Sequence, residues 1–210
     1  MVKTISYAIT VCNEITEIAV LVDTLKEKLR EGDEIVIQYD EGSVTDVVME
    51  YLNIMKNMHK DTIKVIGFPL NKDFATYKNN LKSHCKGEYI FQIDADEVPN
   101  EYLLDNLHEI LSSNEVDVIF IPRVNTVEGL TDSHIQKWGW QVNEKGWVNF
   151  PDYQTRIYKN TNDIMWMNKV HERITGYDSV SNFPPQEEYC LYHHKQIKRQ
   201  EQQNEFYDTI

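Results

Sequence analysis

The sequence predicts an α/β fold: a mostly parallel, doubly wound central sheet flanked by helices, with a less regular C-terminal third. Two observations carry this expectation. Across residues 1–121, short β-branched runs alternate with amphipathic stretches in four successive strand-then-helix units, the pattern of a parallel sheet whose crossovers are helices. The 210 residues are 41% hydrophobic and 11% aromatic. A chain of that size buries roughly 70% of its unfolded surface as one domain, without help from disulfides or a structural metal.

Ile5 to Val11 reads as a buried strand, and Ile15, Ile18, Ala19, Val22, Leu25 and Leu29 follow at helical spacing, with Gly32 as the expected C-cap. Glu34 to Tyr39 is a second strand, Val44 to Met58 a second helix and Thr62 to Phe68 a third strand. Phe74, Tyr77, Leu81 and Cys85 mark one face of a third helix, after which Gly87 leads into a strand from Glu88 to Ile93. Pro99 suits the first turn of a fourth helix running to about Ser112, because a proline's missing N–H is not needed there. Val116 to Ile121 is the fifth strand. From Asn125 to Phe150 the pattern is irregular, with Trp138, Trp140 and Trp147 set among polar residues. Strands are expected again at Tyr153 to Tyr158, Ile164 to Val170 and Tyr189 to Tyr192, then a solvated helix from His194 to Ile210 anchored by Ile197 and Phe206. With no repeat and no low-complexity linker, residues 1–210 are read as a single domain.

The formal charge of −13 argues against a nucleic-acid partner and against an anionic membrane surface, since both are bound through clustered Lys and Arg. Cys12, Cys85 and Cys190 are odd in number and far apart, which points to a reduced, cytoplasmic compartment. The apolar run at Ile5 to Val11 ends too early for a signal peptide, and no 18 consecutive apolar residues propose a transmembrane segment.

Open parallel sheets bind ligands at the carboxyl ends of their strands, so chemistry is sought just after each one. Ile93-Asp94-Ala95-Asp96-Glu97 ends the fourth strand. Residues i and i+2 of an extended chain point the same way, so Asp94 and Asp96 can converge on one cation. Carboxylate oxygens favour Mg²⁺ or Mn²⁺, ions usually shared with a ligand's phosphates. The same residues also suit an acidic turn capping the next helix. Asp40, after strand two, can accept from a base N–H or a ribose hydroxyl, while Ser43 or Thr45 caps the following helix. Thr10-Val11-Cys12-Asn13-Glu14 either lines a nucleotide pocket or caps a helix. Lys78 either meets a diphosphate or is an exposed helix lysine. His171, after a β-rich run, can complete the coordination of an Mn²⁺-like ion or serve structure alone.

Taken in order, these residues resemble a family 2 glycosyltransferase: Asn13-Glu14, the Asp40 turn with Ser43 and Asp46, Phe74-Ala75 with Lys78-Asn79, then Gly87 through Glu97. Pro151 through Tyr158, Trp166 and Val170-His171-Glu172 further resemble the bacterial and phage branch that includes lipopolysaccharide core β-glucosyltransferase-like proteins. The resemblance implies a GT-A fold, with residues 1–121 as the nucleotide-sugar-binding half and 122–210 as the acceptor-side, metal-completing half. It further implies a nucleotide-diphospho-sugar donor (a UDP-sugar), Mn²⁺ or Mg²⁺, transfer with inversion, and a carbohydrate or lipid-linked acceptor as the sole tie to a membrane. Thr10, Asn13, Glu14, Asp40, Lys78, Asp94, Ala95 and Arg156 would then hold the donor, and Asp96 and His171 the metal. Two departures are evident: strand two ends in Tyr39-Asp40-Glu41-Gly42 rather than a double aspartate, and no Glu-Asp pair follows strand five.

Inversion requires a carboxylate to take the acceptor's proton on the face opposite the leaving group; Asp152 is nominated, with Glu172 as rival. Trp138, Trp140 and Trp147 suit stacking on acceptor sugar rings, or packing. The alternatives are a sugar-phosphate nucleotidyltransferase, disfavoured because Cys12-Asn13-Glu14 stands where a glycine-rich basic loop is expected, and a non-catalytic carbohydrate-binding domain of the same fold. Asp40, Asp94, Asp96 and Glu97 are expected to gather at one crevice, where like charges repel without a cation.

Overall fold

The computed structural model describes residues 3–201. Its first half follows the expected alternation: β1 (Ile5–Val11), α1 (Ile15–Lys26), β2 (Glu34–Asp40), α2 (Asp46–Met58), β3 (Ile63–Phe68), α3 (Phe74–Ser83) and β4 (Tyr89–Asp94). Then come β5 (Glu97–Pro99), α4 (Glu101–Ser113), β6 (Val118–Glu128), α5 (Asp132–Trp138), β7 (Val148–Lys159), β8 (Met165–Met167), β9 (Arg173–Thr175), β10 (Val180–Asn182) and β11 (Leu191–Gln196).

Period-2 alternation explains the layers. Ile5, Tyr7 and Ile9 of β1 face one apolar cluster with Ile18, Leu21 and Leu25 of α1, Leu52 of α2 and Leu104 and Leu107 of α4. Ala8, Val36 and Ile90 face the other side, against Ala75 and Leu81 of α3 and against Trp166 and Ile174 of the β8–β9 ribbon. Each fully buried aliphatic side chain contributes about 1.5–3 kcal/mol, so both faces of the sheet are firmly held. Gly87 permits the approach of β4 to β1, because a Cβ there would run into the backbone of Ile5 and Ser6.

The main sheet runs β3-β2-β1-β4-β7-β6-β11-β5, with β10 added beside β6. β1 to β4 are parallel. The order reverses around β1, which has β2 on one side and β4 on the other, so a crevice opens between the carboxyl ends of β1 and β4. Beyond β4 the sheet departs from simple winding. β7 inserts antiparallel between β4 and β6, and β11 lies between β6 and β5.

Several expectations are corrected. Pro99 ends β5 rather than opening a helix; Asn100 is the N-cap, accepting from Tyr102 N–H at 2.8 Å, and the helix starts at Glu101. Gly32 does not cap α1, which stops at Lys26; with φ 91° it makes the turn into β2. The fifth strand runs on to Glu128, and the stretch expected to be irregular holds that extension, α5 and the start of β7. Partners on both sides of β6 and β7 supply hydrogen bonds that local patterning cannot register. The strand expected from Ile164 to Val170 is only three residues long, and His171 falls in the β8–β9 loop with φ 51°. His194 to Gln196 still belong to β11; residues 197–201 are helical, and the remainder of the expected tail, with Phe206, lies outside the described residues. Among the described residues no helix is long and apolar enough to cross a membrane.

Candidate active site

The crevice between β1 and β4 widens into a cavity of about 750 Å³. Its wall includes Thr10, Glu14 and Asp40 from the first two strand ends, Lys78 from α3, and Asp94, Ala95 and Asp96 from the acidic turn. Arg123, Asn125, Trp140, Asp152, Arg156, His171, Glu172, His193, Lys195 and Arg199 complete it from the second half of the chain. Of the residues anticipated from sequence, Asn13 is exposed and off this wall, and the half-buried Trp138 and Trp147 are off it too, turned to other neighbours. Trp138 stacks on His134 with ring centroids 5.2 Å apart, and Lys145 Nζ lies 4.4 Å over the Trp147 ring.

The acidic turn does not present two equivalent carboxylates. β4 ends at Asp94 and Ala95-Asp96 form a turn, so the i, i+2 rule of an extended chain no longer applies. Asp94 is spoken for by protein: Oδ1 accepts from Thr10 Oγ1 at 2.9 Å and Oδ2 pairs with Arg156 Nη2. Burial pushes its carboxyl up, but Arg156 and Lys78 outweigh that and hold it far below the ordinary carboxylate range. Asp96 instead meets His193, whose Nε2 lies 3.4 Å from Oδ2, and Arg199, whose Nη2 lies 3.4 Å from the same oxygen. Burial raises its carboxyl, and His193 and Arg199 more than compensate, leaving it lowered.

The expected free crevice charge of Glu97 is a further correction. Glu97 is fully buried and its Oε1 accepts from Arg123 Nη1 at 2.8 Å and Arg156 Nη2 at 2.6 Å. Protein cations therefore offset much of the repulsion assigned from sequence to a bound metal alone.

Asp152 on β7 is equally engaged: Oδ2 accepts from Arg123 Nε at 3.0 Å, Arg123 Nη2 at 2.7 Å and Asn125 Nδ2 at 2.8 Å, and Oδ1 from Gln154 Nε2 at 2.8 Å. Burial raises its carboxyl, yet Arg123 and these amides hold it below the usual range. A carboxylate that accepts from four donors and is held below its usual range makes a poor proton acceptor. Glu172 pairs with the buried Lys78 through Oε1, and its other oxygen has no hydrogen bond within the described chain. Lys78 is thus no exposed helix lysine; its Nζ also sits 4.4 Å over the Trp166 ring.

Asp40 Oδ1 accepts from Gly42 N–H at 3.1 Å and Leu70 N–H at 3.0 Å, fixing the β2 and β3 ends as one rim. Glu14 Oε2 accepts from the Cys12 and Asn13 amides at 2.8 and 3.0 Å, and Oε1 pairs with Arg199, tying the first crevice loop to the C-terminal helical turn.

Sequence reasoning missed His193, Asn125, Arg123 and Arg199. His193 was accessible in principle, as the residue just past the expected Tyr189 to Tyr192 strand. Its partnership with Asp96 was not, because it depends on β11 lying between β5 and β6, in register His193 to Glu97 and His193 to Asn125. Among the described residues no group of three or more His, Cys, Asp or Glu forms a ready cation cage; Asp96 and His193 are a pair.

Fold and crevice together define a doubly wound α/β architecture with an acidic turn at the β1/β4 switch point. The model of glycosyl transferase family 2 matches residues 6–181, and the chain belongs to that family. Among solved structures, it is similar to S. aureus TarS 1-349 in complex with UDP-GlcNAc, at TM-score 0.64 and 17% identity over 93% of this chain and 59% of that one. TarS 1-349 in complex with UDP gives TM-score 0.63 and 16% identity over 91% of this chain and 60% of that one. The chain thus spans about three fifths of the TarS chain it matches. No curated protein matches it.

Proposed function

We propose that this chain transfers a glycosyl unit from a nucleotide-diphospho-sugar, a UDP-sugar, to a hydroxyl of a carbohydrate or lipid-linked acceptor, with inversion and with a divalent cation. The observation that carries the reading is the Asp96–His193 pair at the switch-point crevice, close to Arg199 and within a cleft that also holds Lys78 and Lys195. Family membership supports the reaction class, and the UDP-GlcNAc and UDP complexes of TarS favour UDP as the nucleotide.

A carboxylate oxygen and an imidazole nitrogen 3.4 Å apart fit Mn²⁺ or Mg²⁺ as a donor set, leaving other positions to phosphate oxygens and water. A cation held there would offset the negative charge that gathers on the departing diphosphate. Arg199 and Lys78 add fixed positive charge to the same cleft. Asp40, and the Asp94 carboxylate aimed by Thr10 and Arg156, suit recognition of base, ribose or sugar hydroxyls. Glu172 is preferred as the base over Asp152, because Asp152 is saturated with donors. Trp140 on the cleft wall suits an acceptor ring. The finer likeness to the lipopolysaccharide core branch rests on the residues from Pro151 to Glu172 alone.

Calorimetry of UDP binding with Mn²⁺, repeated in EDTA, tests the reading. Binding should require the metal and should be lost in Asp96→Ala; UDP binding that is indifferent to both changes would overturn it.

A further inference from the structure

We infer that Asn125 and Asp152 are positioning residues that hold the His193 imidazole as its Nδ1–H tautomer, turning the Nε2 lone pair toward Asp96 as a cation ligand. The purpose of this arrangement rests on the metal reading above; its geometry does not.

Arg123 sets the direction of the hydrogen bonds that reach His193. Asp152 accepts from its Nε and Nη2 and from Gln154 Nε2, so it is a carboxylate with acceptors only. The Asn125 atom facing Asp152 Oδ2 at 2.8 Å must then be the amide nitrogen, which fixes the amide's orientation. Its oxygen consequently faces His193 Nδ1, also at 2.8 Å. An amide oxygen cannot donate, so Nδ1 must carry the proton, and in a neutral imidazole Nε2 is then a lone pair.

That lone pair stands 3.4 Å from Asp96 Oδ2, itself an acceptor. Two acceptors facing one another call for a positive centre: Arg199 Nη2, 3.4 Å from the same Asp96 oxygen, is one that the chain supplies, and a proton on Nε2 or a divalent cation would each be another. The opposite tautomer would give Asp96 a proton donor but set two acceptors against each other at 2.8 Å, between Nδ1 and Asn125 Oδ1. The shorter contact decides. Strand order makes this possible: β11 brings His193 beside Asn125 of β6, and β7 brings Asp152 opposite Arg123 of β6, with a register irregularity between Arg123 and Asn125. The nominated base Asp152 thereby acquires a different role, that of orienting a ligand through an amide.

The test reads the tautomer and the metal separately. Nitrogen NMR of the metal-free chain at about pH 9, where an ordinary imidazole is neutral, should place the His193 proton on Nδ1. Asn125→Leu should abolish that preference and weaken Mn²⁺ binding, followed by electron paramagnetic resonance, by about 10–100-fold. A proton on Nε2 in the unaltered chain overturns the inference whatever the fold of the variants. Unchanged tautomer and Mn²⁺ affinity in folded Asn125→Leu overturn it too. An unaltered chain with the Nδ1–H tautomer that binds no Mn²⁺ overturns instead the metal reading, and with it the purpose assigned to the lock.

Discussion

Replacing Glu97 by glutamine tests whether one buried carboxylate holds both arginines under the acidic turn. Glu97 Oε1 lies 2.8 Å from Arg123 Nη1 and 2.6 Å from Arg156 Nη2, and Oε2 accepts from Asp94 N–H at 3.2 Å. At an effective dielectric of about 20, each such pair represents roughly 6 kcal/mol of gross attraction. Desolvation of the three charges offsets most of it, and removing one member of a buried ion pair costs about 3–5 kcal/mol net. Each arginine keeps another carboxylate, Asp94 for Arg156 and Asp152 for Arg123, so the low end of that range applies. Glutamine has the same volume and opens no cavity. If its oxygen stays between the arginines, its amide nitrogen meets Asp94 N–H donor to donor, so this contact is lost as well. The expected destabilisation is about 3 kcal/mol, which for a chain of this size lowers Tm by roughly 6–12 °C. Thermal and urea melts followed by circular dichroism at pH 7 measure it. A fall of less than about 2 °C would refute the reasoning, by showing that Asp94 and Asp152 hold the arginines alone.

Two further outcomes are expected. Burial, with Glu14 and Asp40 adding to it, pushes the Cys12 thiol up to about 11, and burial takes Cys85 and Cys190 to about 12. A raised pKa leaves the thiol protonated at pH 8, so iodoacetamide should label Cys12 roughly two orders of magnitude more slowly than free cysteine and accelerate toward pH 11; labelling at the free rate at pH 8 contradicts this. Trp140→Ala should raise the acceptor KM by about tenfold while leaving UDP affinity in place, and Trp147→Ala, off the cleft wall, should change neither quantity. Loss of UDP affinity in Trp140→Ala would move that residue to the donor side.

Local chemistry alone determined the first half of this protein. β1 to β4 and their helices are written as β-branched runs and 3.6-residue periodicity, patterns that each segment satisfies by burying its own apolar face, and the parallel order placed Thr10, Asp40 and Asp94 at one edge. The acidic turn and its neighbours Lys78 and Glu172 were likewise recognisable from residue type and position after a strand. What Asp94 and Asp96 do there was decided elsewhere. Arg156 comes from a strand that inserts antiparallel beside β4, and His193 from a strand wedged between β5 and β6, so their roles depend on pairing between segments some 60 to 100 residues apart in the chain. Strand pairing of that range leaves no periodicity in the sequence, because its partners satisfy hydrogen bonds and charges across space rather than along the backbone. Hence residue type and order point to His171, which stands on the cleft wall, but not to His193, which faces Asp96, and they point to Asp152 as a proton acceptor although tertiary contacts cover it with donors.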